Sequence, residues 1–147
     1  MKVKELGHVV LFVEDLERSR RFYRDLLGFS EIPGEPAGFA AFSSGRTHHE
    51  LLLIEVGHVQ PIPQGPRLGM YHVGLKIGDS DAELKEALAR LQEAGTTVVG
   101  ATDHGVTHSL YVLDPDGNEV ELYVDMPGVD WKSDPALILG PPRRLRL

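Results

Sequence analysis

Two segments of the chain, residues 8–15 and 72–79, share one pattern of aliphatic residues at every second position. A histidine precedes the first aliphatic residue in each segment. Because alternate residues of a β-strand point to opposite faces, each segment predicts a strand with a packed apolar face and a histidine on the other face. Matching positions lie 64 residues apart throughout, which indicates an internal repeat.

A helical pattern follows each of these strands. Apolar residues at helical spacing start at Leu16 in the first copy and at Leu84 in the second. Residues typical of helix N-caps precede both patterns, and a glycine typical of a helix C-terminus follows each. These residues are Asp15 and Gly28 in the first copy, and Asp79 or Ser80 with Gly95 in the second.

Three short β-like runs complete each copy. They cover residues 29–32, 39–42 and 50–56 in the first copy, and 97–101, 109–113 and 119–124 in the second. The chain therefore predicts an α+β fold of two tandem β-α-β-β-β modules, at about residues 5–57 and 69–125, within one domain of residues 1–125. The proline-rich segment 57–69 is predicted to be a linker, and residues 126–147 a C-terminal proline-rich extension.

Composition narrows the classes of function. Fifteen Lys and Arg against 22 Asp and Glu give a net charge of −7, which disfavours binding to nucleic acid. The chain has no apolar run of membrane-spanning length and no secretory signal at its start, so we expect a cytoplasmic protein without a membrane partner. The absence of cysteine excludes disulfides, thiolate zinc sites and cysteine nucleophiles, and leaves the seven histidines as candidate ligands or proton carriers.

His8 and His72 occupy equivalent positions of the repeat, on the face of each strand opposite the aliphatic residues. Glu121 lies on the corresponding face of the last predicted strand. Two imidazoles and one carboxylate form the facial triad of non-haem iron(II) oxygenases, which leaves the remaining metal positions open. The same ligands also suit Mn(II), Ni(II) or Zn(II). A single histidine at a strand start is more often structural, but the repeat relates this pair.

The sequence resembles the vicinal oxygen chelate superfamily, and within it the type I extradiol catechol dioxygenases, over residues 5 to 125. The resemblance rests on residues 7–9, 16–29, 48–51, 71–73, 103–106 and 114–123. It implies that the two modules form a curved, mixed sheet around a metal-binding cleft. It also implies that His8, His72 and Glu121 hold the metal, most often Fe(II).

The same resemblance implies an oxidoreductase that cleaves the ring of a catechol-type aromatic diol with dioxygen. His49 corresponds to a histidine that handles a proton in the family. Tyr111 and His104 correspond to groups that donate hydrogen bonds to the bound reactants. Relatives of this size commonly pair, so we also expect a homodimer, and Trp131 suggests that the extension covers a cleft or a partner surface.

Other members of the superfamily remain alternatives. A glyoxalase I-like lyase or isomerase commonly uses a fourth ligand at the repeat partner of Glu121, where this chain has Leu52; Glu55 could serve only if the strand were bulged. A fosfomycin-type thiol transferase uses the same three ligands but needs a basic pocket for its anionic substrate. The only candidates for that pocket are Lys76 and Arg67, which are few. A metal-free bleomycin-resistance-type binding protein would not need the three proposed ligands together.

Overall fold

A computed structural model describes residues 1–34, 37–63 and 65–147. The chain divides into two compact units, Met1–Ile62 and Pro63–Leu147. Each unit contains one copy of the repeat.

The N-terminal unit is a four-stranded mixed sheet with one helical segment. Its strands are β1 (Val9–Val13), β2 (Ser30–Glu31), β3 (Phe39–Ser43) and β4 (Leu51–Glu55), in the order β1-β4-β3-β2. Strand β1 runs parallel to β4, and the other pairs are antiparallel. Helix α1 (Leu16–Arg20) continues as a π-helical segment, Arg21–Leu26.

Two local features set the ends of this helical segment. The Asp15 carboxylate accepts a hydrogen bond from the Arg18 backbone N–H at 2.7 Å, which satisfies one of the free donors of the first turn. Gly28, at a φ of 85°, lets the chain turn away after the segment. The core of the unit lies between the segment and the sheet, with its largest fully buried side chains at Tyr23, Phe42 and Leu53.

The C-terminal unit repeats this plan and adds a strand from the extension. It contains β5 (His72–Gly78), α2 (Asp81–Glu93), β6 (Val98–Asp103), β7 (Thr107–Leu113), β8 (Glu119–Asp125) and β9 (Arg143–Arg144). The strand order is β5-β8-β7-β6-β9, with β5 parallel to β8. A 3₁₀ helix, Pro135–Leu139, precedes β9.

Strand β8 has two chemically different faces. Val120, Leu122 and Val124 are buried against α2, whose Leu84 and Leu91 are also buried. The alternate residues of the strand, including Glu119 and Glu121, are only partly buried and face the other way. The opposite face of the sheet therefore presents polar side chains.

The predicted elements agree with the structure. The α+β class and both β-α-β-β-β modules are confirmed, with strand ends within two residues of the predicted ones. The expectation of one curved sheet differs in detail, because hydrogen-bonded strands form two separate sheets of four and five strands. The described residues of the predicted linker contain neither helix nor strand, and Gln64 lies outside the described residues. No helix among the described residues has the length and apolar character needed to cross a membrane.

Candidate functional site

The polar face of β8 brings the predicted site residues of the C-terminal unit together. In the sheet register, Glu121 lies opposite Gly74 of β5 on one side and Tyr111 of β7 on the other. His72 begins β5 and lies opposite Glu119. These side chains form one cluster because their strands are direct neighbours.

Gly74 leaves the space that the Glu121 carboxylate occupies. A Cβ atom built at residue 74 would lie 3.3 Å from Oε2 of Glu121 and 3.6 Å from a ring carbon of Tyr123. A larger residue at this position would push the carboxylate aside. The glycine is therefore a steric requirement of the present position of Glu121.

His72 lies between two carboxylates. Its Nε2 atom is 3.3 Å from Oε2 of Glu121, and its Nδ1 atom is 3.4 Å from Oε1 of Glu119. Nδ1 of His72 and Oε1 of Glu119 are buried and have no hydrogen-bond partner within the part of the chain described. The hydroxyl of Tyr71 bonds to Glu119, whose negative charge is the main cause of a raised pKa of Tyr71.

Tyr111 links the carboxylate of Glu121 to a second histidine. The Tyr111 hydroxyl donates to Oε1 of Glu121 at 3.2 Å, and Nε2 of His104 is 2.7 Å from the same hydroxyl oxygen. A phenol carries a single proton, so in this arrangement Nε2–H of His104 is the donor to Tyr111. Burial, followed by the negative charge of Glu121 and the hydrogen bond to it, raises the pKa of Tyr111. The phenol therefore stays protonated at neutral pH.

These groups open onto a cleft within the C-terminal unit. The cleft has a volume of about 520 Å³ and is lined by His72, His104, Tyr111 and Glu121 at its polar end. Trp131 and Ile138 of the C-terminal extension line it as well. Its volume falls within the range of about 300–1,000 Å³ that is typical of sites for small molecules.

The N-terminal unit places two other predicted residues side by side. The ring centroids of His8 and His49 are 4.5 Å apart, and the ring centroids of His48 and His49 are also 4.5 Å apart. Partial burial, together with the nearby imidazoles of His48 and His8, lowers the pKa of His49. His49 lies two residues before the start of β4, and His8 directly precedes β1.

The register of the N-terminal sheet shows which residue of β4, Leu52 or Glu55, occupies the position of a fourth metal ligand. Val10 pairs with Leu52 just as Gly74 pairs with Glu121, so Leu52 occupies the repeat position of the ligand carboxylate. The pairing of β1 with β4 runs from residue 51 to residue 55 without a bulge. The Glu55 carboxylate accepts a hydrogen bond from the Leu16 backbone N–H at 2.8 Å, which assigns it a structural role at the start of α1.

The donor atoms of His72 and Glu121 fit a divalent metal ion. Two neighbouring ligands at about 2.1 Å from a metal and at right angles to each other lie about 3.0 Å apart, close to the 3.3 Å between Nε2 and Oε2. A carboxylate beside the second ring nitrogen is the usual support for a metal-binding histidine, and Glu119 holds that position. Among the described residues, no three His, Asp or Glu side chains are gathered tightly enough to hold a metal ion. Metal binding by His8, His72 and Glu121 is therefore a proposal.

Sequence reasoning missed three features of this site. Alternation placed Glu119 on the same face as Glu121, but its contact with His72 depends on the pairing of β5 with β8. Gly74 has no chemistry of its own, and only its neighbour across the sheet gives it a role. The sequence predicted that the extension with Trp131 covers a cleft or a partner surface, but it did not single out Ile138, which comes from a part of the chain with no repeat partner.

Comparison with known proteins identifies the class. The family model of the Glyoxalase/Bleomycin resistance protein/Dioxygenase superfamily matches residues 5–122, and the chain belongs to this superfamily. Most members are enzymes that act on small molecules. The matched range ends before the C-terminal extension.

Individual relatives differ in their reactions. The chain is 35% identical over 129 residues to a catechol-2,3-dioxygenase of Bacillus subtilis, covering 88% of this chain but only 44% of that protein. It is 30% identical over 124 residues to a lactoylglutathione lyase of Haemophilus influenzae, covering 80% of this chain and 90% of the lyase. A glyoxalase/dioxygenase structure from Nostoc punctiforme shares the fold with a TM-score of 0.72 at 22% identity, covering 83% of this chain and 91% of that one. The chain thus spans about half the length of the dioxygenase it matches.

Proposed function

We propose that the protein is an Fe(II)-dependent extradiol dioxygenase that cleaves the ring of a catechol-type aromatic diol. The observation that carries this proposal is the chain of contacts from His104 through Tyr111 to Glu121, beside His72. It sets two hydrogen-bond donors next to a candidate metal-ligating carboxylate and histidine, at one end of a cleft. An aromatic diol needs such donors at its oxygens and an apolar space for its ring.

The proposed metal ligands are His8, His72 and Glu121. His72 and Glu121 are supported by their geometry, and His8 by its equivalent position in the repeat. A bound Fe(II) ion would hold the diol and dioxygen together and favour the ionised form of the diol.

The protein's own groups have distinct tasks in this proposal. The Tyr111 hydroxyl and Nε2–H of His104, which donate to Glu121 and to Tyr111 in the structure, would turn to the diol oxygens when the diol binds and so orient its ring. Glu119 holds His72 so that Nε2 points toward Glu121. His49, whose ring contacts His8, would take and return a proton during oxygen activation, since an imidazole can exchange protons near pH 7.

A glyoxalase I-like lyase is the second candidate, because the chain covers 90% of the length of the lactoylglutathione lyase. Such an enzyme commonly draws a fourth ligand from the position of Leu52. Leucine cannot ligate a metal, and the carboxylate of Glu55 is engaged by the Leu16 N–H. The residues of β4 therefore favour the dioxygenase.

The proposal includes a single domain of residues 1–125, a homodimer and a cytoplasmic location. Sedimentation or light scattering of the full chain measures the assembly directly. A monomeric mass at micromolar concentration would remove the dimer from the proposal without affecting the chemistry.

The test of function compares two reactions in one preparation. The protein is loaded with Fe(II) without oxygen, mixed with catechol or an alkyl catechol, and exposed to air. We expect a yellow ring-cleavage product, its loss in His72→Ala, and a strongly reduced rate in Tyr111→Phe, which removes only the hydroxyl. Turnover of a glutathione hemithioacetal with Ni(II) or Zn(II), and no diol cleavage, would instead establish the lyase.

A further inference from the structure

The C-terminal extension is built into the C-terminal unit. Strand β9 pairs with β6, opposite residues 102 and 103, and the Leu145 backbone N–H donates to the carbonyl of Ala101 at 3.2 Å. At the other end, the Met126 N–H donates to the carbonyl of Val106 at 2.9 Å. The extension is thus anchored on both sides of its middle portion.

That middle portion carries two large apolar side chains into the cleft. Trp131 and Ile138 line the cleft whose polar end contains His72 and Glu121, and they are 44% and 52% exposed. The carboxylate of Asp134 accepts a hydrogen bond from the Ala136 N–H at 3.2 Å and so caps the 3₁₀ helix that holds Ile138. Both side chains have apolar surface available to a bound molecule, because neither is fully packed.

We propose that Trp131 and Ile138 select the substrate, by contacting an apolar substituent on the ring of the aromatic diol. The inference rests on the proposed function and adds the substrate class: a catechol with an alkyl or aryl substituent. The polar end of the cleft receives the two oxygens, and the extension receives the substituent. A volume of about 520 Å³ leaves space beyond a single ring.

The size of the effect follows from the apolar contact. An added or missing apolar group in a hydrophobic pocket commonly changes discrimination about tenfold or more. We therefore expect 4-tert-butylcatechol to bind about tenfold more tightly than catechol. Truncation of either side chain should remove most of that preference and leave the affinity for catechol itself nearly unchanged.

The experiment measures binding without turnover. The full-length protein is loaded with Fe(II) in the absence of oxygen, and the dissociation constants of both diols are measured by calorimetry for the wild type, Trp131→Ala and Ile138→Ala. Leu139→Ala is the matched control, since Leu139 neighbours Ile138 in the 3₁₀ helix and is 86% exposed. Trp131→Phe keeps an aromatic ring and should retain the preference.

Trp131 supplies a second measurement, because it is the only tryptophan in the chain. Its fluorescence should change on addition of 4-tert-butylcatechol in the wild type and in Leu139→Ala, and should change less in Ile138→Ala; the two variants of residue 131 carry no tryptophan and are followed by calorimetry. If both diols bind but the preference survives in Trp131→Ala and Ile138→Ala, the inference is wrong while the proposed function stands. If neither diol binds to the metal-loaded wild type, both fail.

Discussion

The position of Glu119 beside His72 makes a measurable prediction about metal affinity. The Glu119 carboxylate faces Nδ1 of His72 at 3.4 Å, and both atoms are buried. A proton on Nδ1, shared with Glu119, would leave the Nε2 lone pair on the side of Glu121. Replacement of Glu119 by leucine keeps the volume of the side chain and removes its acceptor atoms.

The expected loss can be estimated from the geometry. Loss of the group behind a metal-binding histidine typically reduces metal affinity by about 10- to 100-fold. The Nδ1–Oε1 distance of 3.4 Å is longer than the usual length of a charge-assisted hydrogen bond, about 2.7–2.9 Å. We therefore expect Glu119→Leu to fall at the lower end, near tenfold, which corresponds to about 1.4 kcal/mol. Glu119→Gln, which keeps a neutral acceptor, should lose less.

The assay is a competition titration of Zn(II) and Fe(II) against a chromogenic chelator. Nitrogen-15 spectra of the metal-free protein provide an independent measurement, because they report which ring nitrogen of His72 carries the proton. Glu86→Leu is the matched control, since it removes the same charge from an exposed position of α2. Weakened binding in His72→Ala combined with wild-type affinity in Glu119→Leu would refute the supporting role of Glu119.

Three further predictions concern single positions. Gly74→Ala should weaken metal binding several-fold, because the new Cβ atom would lie 3.3 Å from Oε2 of Glu121 and displace the carboxylate. Its melting temperature should be unchanged or higher, because a glycine is lost from a strand, and unaltered metal affinity would contradict the prediction. Hydrogen bonds from the Ser80 hydroxyl and the Asp79 N–H lower the pKa of Glu83 below its ordinary value of 4.5, so the stability that Glu83 adds is present above pH 4.5 and is lost as the pH falls through the lowered pKa. The difference in melting temperature between wild type and Glu83→Gln should therefore shrink between pH 6 and pH 3, and a constant difference would refute this reasoning. Leu53→Ala, at a position with no exposed surface, should reduce the free energy of unfolding by about 3 kcal/mol in a urea titration, and a loss below 1 kcal/mol would mean that the core collapses around the gap.

Much of the fold could be predicted because apolar and polar side chains alternate along its strands. The aliphatic positions of β1, β5 and β8 and the spacing of the repeat were sufficient to place His72 and Glu121 on the same kind of face. Residue type predicted an N-cap at Asp15 and a second one at Asp79 or Ser80. In the structure, Asp15 and Ser80 each accept the hydrogen bond of the third residue of the helix that follows. These features depend on local sequence alone.

The remaining features depend on contacts between distant parts of the chain. The approach of Glu119 to His72 requires the parallel register of β5 and β8, which no local pattern states. The anchoring of the extension requires a two-residue strand, Arg143–Arg144, to find β6 some 40 residues earlier. The change from α to π geometry after Arg20 leaves the apolar pattern of the segment intact, so the pattern predicted a helix without revealing its type.

The repeat also shows why only one of the two units has a glutamate at the position of the proposed ligand Glu121. Each unit pairs its first and last strands in the same parallel register, so Val10 and Leu52 correspond to Gly74 and Glu121. In the C-terminal unit, the carboxylate lies so close to residue 74 that a Cβ atom there, at 3.3 Å, would force it to shift. In the N-terminal unit, the neighbour is a branched valine, so a carboxylate at residue 52 would meet the crowding that Gly74 avoids. The two units thus differ at one pair of neighbouring positions, which is Val10 and Leu52 in the first and Gly74 and Glu121 in the second. This difference agrees with a proposed ligand set of two histidines and a single glutamate.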